Sequence, residues 1–225
     1  MRICFSALLV CGLLAPFAVA QSCPSNGYKP GDWSRLAAQP CRENLDQKPV
    51  AILSPNRKRL LLVKRDKVLE KAVRENSTEE WLNYRPGDEF IWSLDSSEVL
   101  VSYCLGAAGP CGVGSTVDDG SSPTVTDTVR KEFASGHAGD DCYTDANVGA
   151  LTWEDSDKIV VVAEIPPAPS CEGHHEGYFE AMVVSLSKRK VVARYNMNET
   201  IHRWHGILGT ELLNDIKLVR EDTKG

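Results

Sequence analysis

The chain has 225 residues, with 25 Lys and Arg against 31 Asp and Glu and a formal net charge of −6. That balance opposes nucleic acid and anionic lipid as the main partner, because the long-range electrostatic term works against both. The length suits one well-buried domain.

The first segment reads as a secretory leader. Arg2 gives the positive start, Ile3 to Val19 carry no charge, and Ala18-Val19-Ala20 has the small–x–small form that signal peptidase accepts. Cleavage before Gln21 leaves about 205 residues, with no later run long enough to span a membrane. The mature protein is then expected in the periplasm or outside the cell, where cysteines oxidise. Cys4 and Cys11 leave with the leader, and Cys23, Cys41, Cys104, Cys111, Cys142 and Cys171 remain. An even number in an exported chain predicts up to three disulfides. Neighbour pairing (23 with 41, 104 with 111, 142 with 171) is the simplest arrangement, and none of the spacings has the C-x-x-C form of a zinc or redox centre.

Residues 21–48 are rich in Pro, Gly, Ser and charge and read as an irregular lead-in tied by Cys23 and Cys41. A single β domain is expected over 49–225. Val50-Ala51-Ile52-Leu53 and Leu60-Leu61-Leu62-Val63 flank the turn Ser54-Pro55-Asn56-Arg57, and Val68-Leu69 follows. Ser77 to Glu80 has the form of a capping box and predicts a short helix through Trp81 and Leu82, stopped by Pro86-Gly87. Phe90-Ile91-Trp92 with Val99-Leu100-Val101 predicts a second strand pair. Residues 105–122 hold five Gly and few large apolar side chains, which predicts a mobile loop. Thr124 to Val129 is β-rich, and Ala134 to Asn147 reads as loop. Ala150 to Trp153 with Ile159 to Val162 predicts a third pair, and Tyr178–Val184 with Val191–Tyr195 the best hairpin. Thr210 with Leu212, Leu213, Ile216 and Val219 predicts a short C-terminal helix.

Three of these segments align. Leu53-Ser54-Pro55-Asn56-Arg57-Lys58-Arg59-Leu60 lies over Trp92-Ser93-Leu94-Asp95-Ser96-Ser97-Glu98-Val99 without gaps, and Trp153 to Val162 joins them with one turn residue dropped. The shared form resembles the inner strands of bacterial WD40-like, TolB-type β-propeller repeats, whose blades carry a Ser-Pro-Asp-Gly-Lys turn. The resemblance covers roughly 35 residues, and Ser54-Pro55-Asn56 is its one close motif match. It implies blade-like antiparallel hairpins. The motif Gly is missing each time, and the interval from Trp92 to Trp153 is longer than a blade of about 40–45 residues. Three visible blades fall short of the usual ring minimum of about four. An incomplete or small propeller, a β-sandwich and an open antiparallel sheet therefore all remain available.

The densest ligand-capable cluster is Glu172, His174, His175 and Glu176, whose imidazoles and carboxylates could hold Zn²⁺. It lacks the i,i+4 spacing of H-E-x-x-H, and neighbours on an extended segment point to opposite faces. A solvated loop beside Cys171 is the account the spacing favours. The acids Asp118, Asp119, Asp127, Asp140, Asp141 and Asp145 lack the register of a calcium loop. Gly112-Val113-Gly114-Ser115 is not a nucleophile elbow, and no residue set is singled out as catalytic. Trp92 and Trp153 fit core positions, whereas an exposed Trp33, Trp81 or Trp204 would mark a partner surface.

The sequence thus predicts an exported, mainly β, disulfide-tied binding or interaction module for a protein or small-molecule ligand, with no cofactor. The competing class is a secreted hydrolase or metal-dependent enzyme built on the Gly/Asp-rich loops, with Asp140 or Asp141 meeting His137, His174 or His175.

Overall fold

The structure is a computed structural model that describes residues 23–45, 48–72, 78–105, 110–116, 123–137, 145–165 and 178–222. The leader, Cys142, Cys171 and the cluster from Glu172 to Glu176 lie outside the described residues.

The protein is mainly β. Three antiparallel sheets follow one another along the chain, and among the described residues they close into neither a barrel nor a ring. The first sheet is the meander β3 (Val50–Leu53), β4 (Arg59–Lys64), β5 (Lys67–Ala72) and β6 (Thr78–Asn83). The second joins β1 (Tyr28–Pro30) and β2 (Ala38–Pro40) to β7 (Glu89–Trp92), β8 (Val99–Cys104) and β9 (Cys111–Ser115). The third is the meander β10 (Asn147–Trp153), β11 (Lys158–Ile165), β12 (Tyr178–Ser185) and β13 (Lys190–Tyr195). Helices α1 (Arg42–Leu45), α2 (Val125–Ser135), α3 (Met197–Trp204) and α4 (Thr210–Asp222) complete the fold.

Side-chain alternation divides the core into layers. Phe90, Trp92, Val99 and Val101 face the first sheet and meet Val50, Ile52, Leu61, Val63 and Val68. Ile91, Leu100 and Val113 point the other way, to α2 and the third sheet. The far face of the third sheet is covered by Trp33, α3 and α4, through Leu208, Leu212 and Ile216. Burial on both faces explains why β7 and β11 read as continuous apolar runs. It also explains why they are the most legible strands.

The three aligned segments have matching joints. The indole N–H of Trp92 donates to the carbonyl of Ile52 at 3.3 Å, and that of Trp153 to the carbonyl of Ile91 at 3.2 Å. Each Trp reaches the residue just before its counterpart in the preceding sheet. The first two turns match bond for bond. Ser54 N–H donates to Arg59 O and Ser93 N–H to Glu98 O, while the Ser54 and Ser93 hydroxyls accept from Arg59 N–H and Glu98 N–H. Arg57 and Ser96 occupy the motif's Gly position with φ of 58° and 66°, so two L-residues hold the left-handed backbone a glycine would adopt without cost.

Four expectations are corrected. Residues 78–83 form strand β6 instead of a helix, because pairing of Val68 with Leu82 and Leu69 with Glu80 outweighs one local capping signal. Thr124 to Val129 is the N-terminal part of α2. Thr124 caps it, with Asp127 N–H donating to the Thr124 hydroxyl and Thr124 N–H to the Asp127 carboxylate, and Val125, Val129 and Phe133 share its buried face. Cys111–Ser115, expected in a mobile loop, pairs with β8. Its Gly112 permits this, since a Cβ there would stand 2.9–3.1 Å from Thr126 and Tyr103. Residues 28–40 of the lead-in, read as irregular, hold β1 and β2, and Trp33 between them is buried.

Cys23–Cys41 and Cys104–Cys111 are disulfide-bonded, as neighbour pairing predicts. The C-terminal helix is present as α4, with Leu212 and Ile216 buried. No described helix is long and apolar enough to cross a membrane.

Candidate functional site

Three places in the described structure hold chemistry beyond packing. The first is a set of buried acids behind Trp33. Glu89 on β7 accepts the N–H groups of Asp32 and Trp33, yet burial pushes its carboxyl up to about 8. Glu164 on β11 is fully buried beside Asn147 and lies against Asp215 of α4. Burial raises both carboxyls, and a proton held between the two is the arrangement that keeps a second charge out of the core. Burial likewise pushes Asp88 up to about 6. Asp32 links these acids to α4: its carboxylate accepts the Thr210 hydroxyl and its carbonyl accepts Glu211 N–H, so a residue far away in sequence caps the helix. Glu89, Glu164, Asp88 and Asp215 are buried, and Trp33, whose N–H meets Glu89, packs so close to β10 that a Cβ on Gly149 would overlap its ring. They organise the fold.

The second place is a cavity of about 300 Å³ with a mixed lining that includes Glu98, Asp157, Ser185 and Arg189 beside Val125 and Leu186. Burial and the charge of Asp95 raise the Glu98 carboxyl, whereas bonds from Ser187 and Ser185 lower that of Asp157. Opposite shifts in one cleft are the pattern of an acid/base pair. Here, however, both Asp157 oxygens are spent on the β12–β13 turn, accepting Ser187 N–H at 2.8 Å and the Ser185 hydroxyl at 2.7 Å. A carboxylate held below its ordinary range in this way is a weak base.

The third is a groove of about 560 Å³ where the turns of all three sheets meet the β1–β2 hairpin. Trp92 and Trp153 are in its lining, and Leu36, Leu53 and Leu94 stand along it at 54 %, 50 % and 82 % exposure. Five large hydrophobics are exposed among the described residues, and these are three of them. Each is held by a stiff support. Leu36 follows Ser34, whose hydroxyl donates to Leu151 O at 2.7 Å and accepts Leu36 N–H at 3.1 Å. Leu94 sits between Ser93 and Asp95, whose side chains bond each other at 2.6 Å.

The residues singled out from sequence are mostly elsewhere. His137 follows the C-terminal end of α2, its Nδ1 2.9 Å from Phe133 O and its ring edge-on to Tyr178. Glu180 beside it is bonded by Tyr178 and Arg194. Asp118, Asp119, Asp140, Asp141, His174 and His175 lie outside the described residues, and among those described no three His, Cys, Asp or Glu side chains form a metal-holding group. Trp33 is buried, and Trp204 is half-buried with Arg203 over its ring, so neither makes an exposed aromatic surface. The side chain of Trp81 is not described. Sequence reasoning missed Leu36 and Leu94. The available signal was a large apolar residue inside a polar turn, Arg35-Leu36 and Ser93-Leu94-Asp95.

No protein family, curated protein or solved structure matches the chain.

Proposed function

We propose that the protein is an exported, non-enzymatic binding module whose ligand surface is the apolar groove between the three sets of turns. The observation that carries this reading is the gathering of Leu36, Leu53 and Leu94 around one groove, Leu36 and Leu94 on hydrogen-bonded turns and Leu53 at the end of strand β3. Contiguous exposed apolar surface on a soluble protein is a mark of interaction, and stiff supports reduce the ordering cost of binding. Two disulfides fit an oxidising compartment and support export.

Descent from WD40-like, TolB-type propeller repeats is part of the same proposal. It is supported by consecutive meanders, matched Ser turns and the repeated Trp-to-carbonyl joint. A Cys142–Cys171 bridge is also retained. Its support is that Asn147 pairs with Glu164 and Ile165 with Tyr178, while His137 abuts Tyr178, so the stubs flanking both cysteines share one end of the third sheet.

Selection of a displayed random peptide library tests the reading. Peptides are expected to enrich on the wild-type protein and not on a Leu36→Asp/Leu94→Asp variant. Equal enrichment on both would remove the groove from the function.

A further inference from the structure

Building on the binding reading, we infer that the groove takes a polypeptide segment with large apolar side chains and an acidic side chain, and that Arg35 reads the acid. The charged residues lining the groove are Lys29 and Arg35, with no carboxylate among the lining residues, in a chain of net charge −6. Asp32, the acid beside Lys29, is committed elsewhere. Asp32 takes the Thr210 hydroxyl on one oxygen and Gln39 Nε2 on the other, and sits 3.4 Å from Lys29 Nζ. Lys29 is therefore half-neutralised. Arg35 is exposed, and among the described residues its guanidinium has neither an ion pair nor a hydrogen bond.

The backbone beneath Arg35 is fixed. Its own N–H donates to Ile207 O at 2.9 Å, and Ala37 N–H donates to Ser34 O at 3.1 Å. The buried Ser34 ties that turn to Leu151. A free guanidinium beside an exposed Leu36 is thus presented on a hydrogen-bonded support. An uncommitted planar fork of donors next to an apolar trough is complementary to a carboxylate flanked by apolar side chains. Leu53 and Leu94 lie along the trough and favour an extended occupant several residues long over a compact solute. The overall acidity of the chain opposes the rival source of the same chemistry, an anionic lipid surface.

The probe is a fluorescein-labelled nonapeptide of alternating leucine and serine with one central aspartate, blocked at both ends, together with its lysine twin. Fluorescence anisotropy on the full protein should show saturable binding of the aspartate peptide and at least fivefold weaker binding of the lysine peptide. Arg35→Glu should invert that order, and Leu94→Asp should weaken both peptides. Both sites are exposed, and circular dichroism would verify that the variants fold. Equal affinity for the two peptides, with loss of both in Leu94→Asp, would overturn the acidic preference and leave the groove as the binding surface. Binding unaffected by Leu94→Asp, or no binding of either peptide, would overturn the inference and the groove together. Sedimentation with phosphatidylglycerol vesicles, with no peptide bound, would replace the peptide by a membrane.

Discussion

The turns that join the strands and the acids behind Trp33 use the same carboxyl group to opposite effect. In the turns, Asp95 accepts the Ser93 and Ser97 hydroxyls and Ser97 N–H, which hold its carboxyl down at about 2. The Lys158 ammonium and the N–H groups of Asp157 and Lys158 lower Asp155 in the same way. In the core, Glu89 has only two donors and stays protonated near neutrality, and Glu164 lies against a second carboxyl, that of Asp215. Solvent and donors decide the charge state more than the residue type does. A carboxylate in water with three donors closes a turn, whereas a carboxyl without them is tolerated in a core only with its proton.

That contrast predicts an inverted pH profile, and it should be the largest effect. The Glu89 carboxyl ionises near 4.5 in the unfolded chain and near 8 in the folded one. Between those values the folded state binds more protons, so stability present below 4.5 is lost as pH rises toward 8. Glu164 and Asp215, both raised, add in the same direction. Urea unfolding should show the protein several kcal/mol more stable at pH 5 than at pH 8. Glu89→Gln should flatten part of that slope and exceed the wild type at pH 8. An unchanged slope in the variant would mean that Glu89 is ionised in the fold. At the other extreme, the contribution of Asp95 persists until pH falls below 3.8 and disappears through about 2.

The joints between sheets should give the next largest effect. Trp153→Phe and Trp92→Phe each remove the donor to one strand carbonyl and should cost about 1–2 kcal/mol by chemical denaturation. If the joints are equivalent, the two costs agree. A much smaller cost for one would separate its sheet from the repeat.

Within the turns, Asn56→Ala removes the acceptor of Lys58 N–H and should cost about 1 kcal/mol. Arg57→Gly should have the smallest effect and the opposite sign, a gain of about 0.5–1 kcal/mol in thermal unfolding, because glycine relieves the positive φ. Ser96→Gly, at the equivalent position, should not gain. Its hydroxyl accepts Asn56 N–H at 3.0 Å and fastens the second turn to the first.

Legibility in the sequence follows the range of the forces involved. The hairpins flanking Ser54-Pro55-Asn56 and Ser93-Leu94-Asp95 were visible because turn chemistry and strand pattern are local. Helix α2 was misread because Thr124-Val125-Thr126 favours strand locally, although the Thr124/Asp127 box was already present in the sequence. Strand β6 was misread for the converse reason: a cap at Ser77 is local, and pairing with β5 is not. Most of the groove was invisible, since Arg35, Leu53, Leu94 and Trp153 meet only after three sheets have assembled. The buried acids had a usable signal in Glu164, an acid enclosed by Val162-Ala163 and Ile165.

The bond from Thr210 to Asp32 sets an order of events in folding. Trp33 needs Gly149 to lie against and Leu208 to cover it, and its loop needs the start of α4 to bond. The loop between β1 and β2 therefore completes its contacts only once the start of α4 is present. Such a distant closure slows folding and keeps the chain loose for longer.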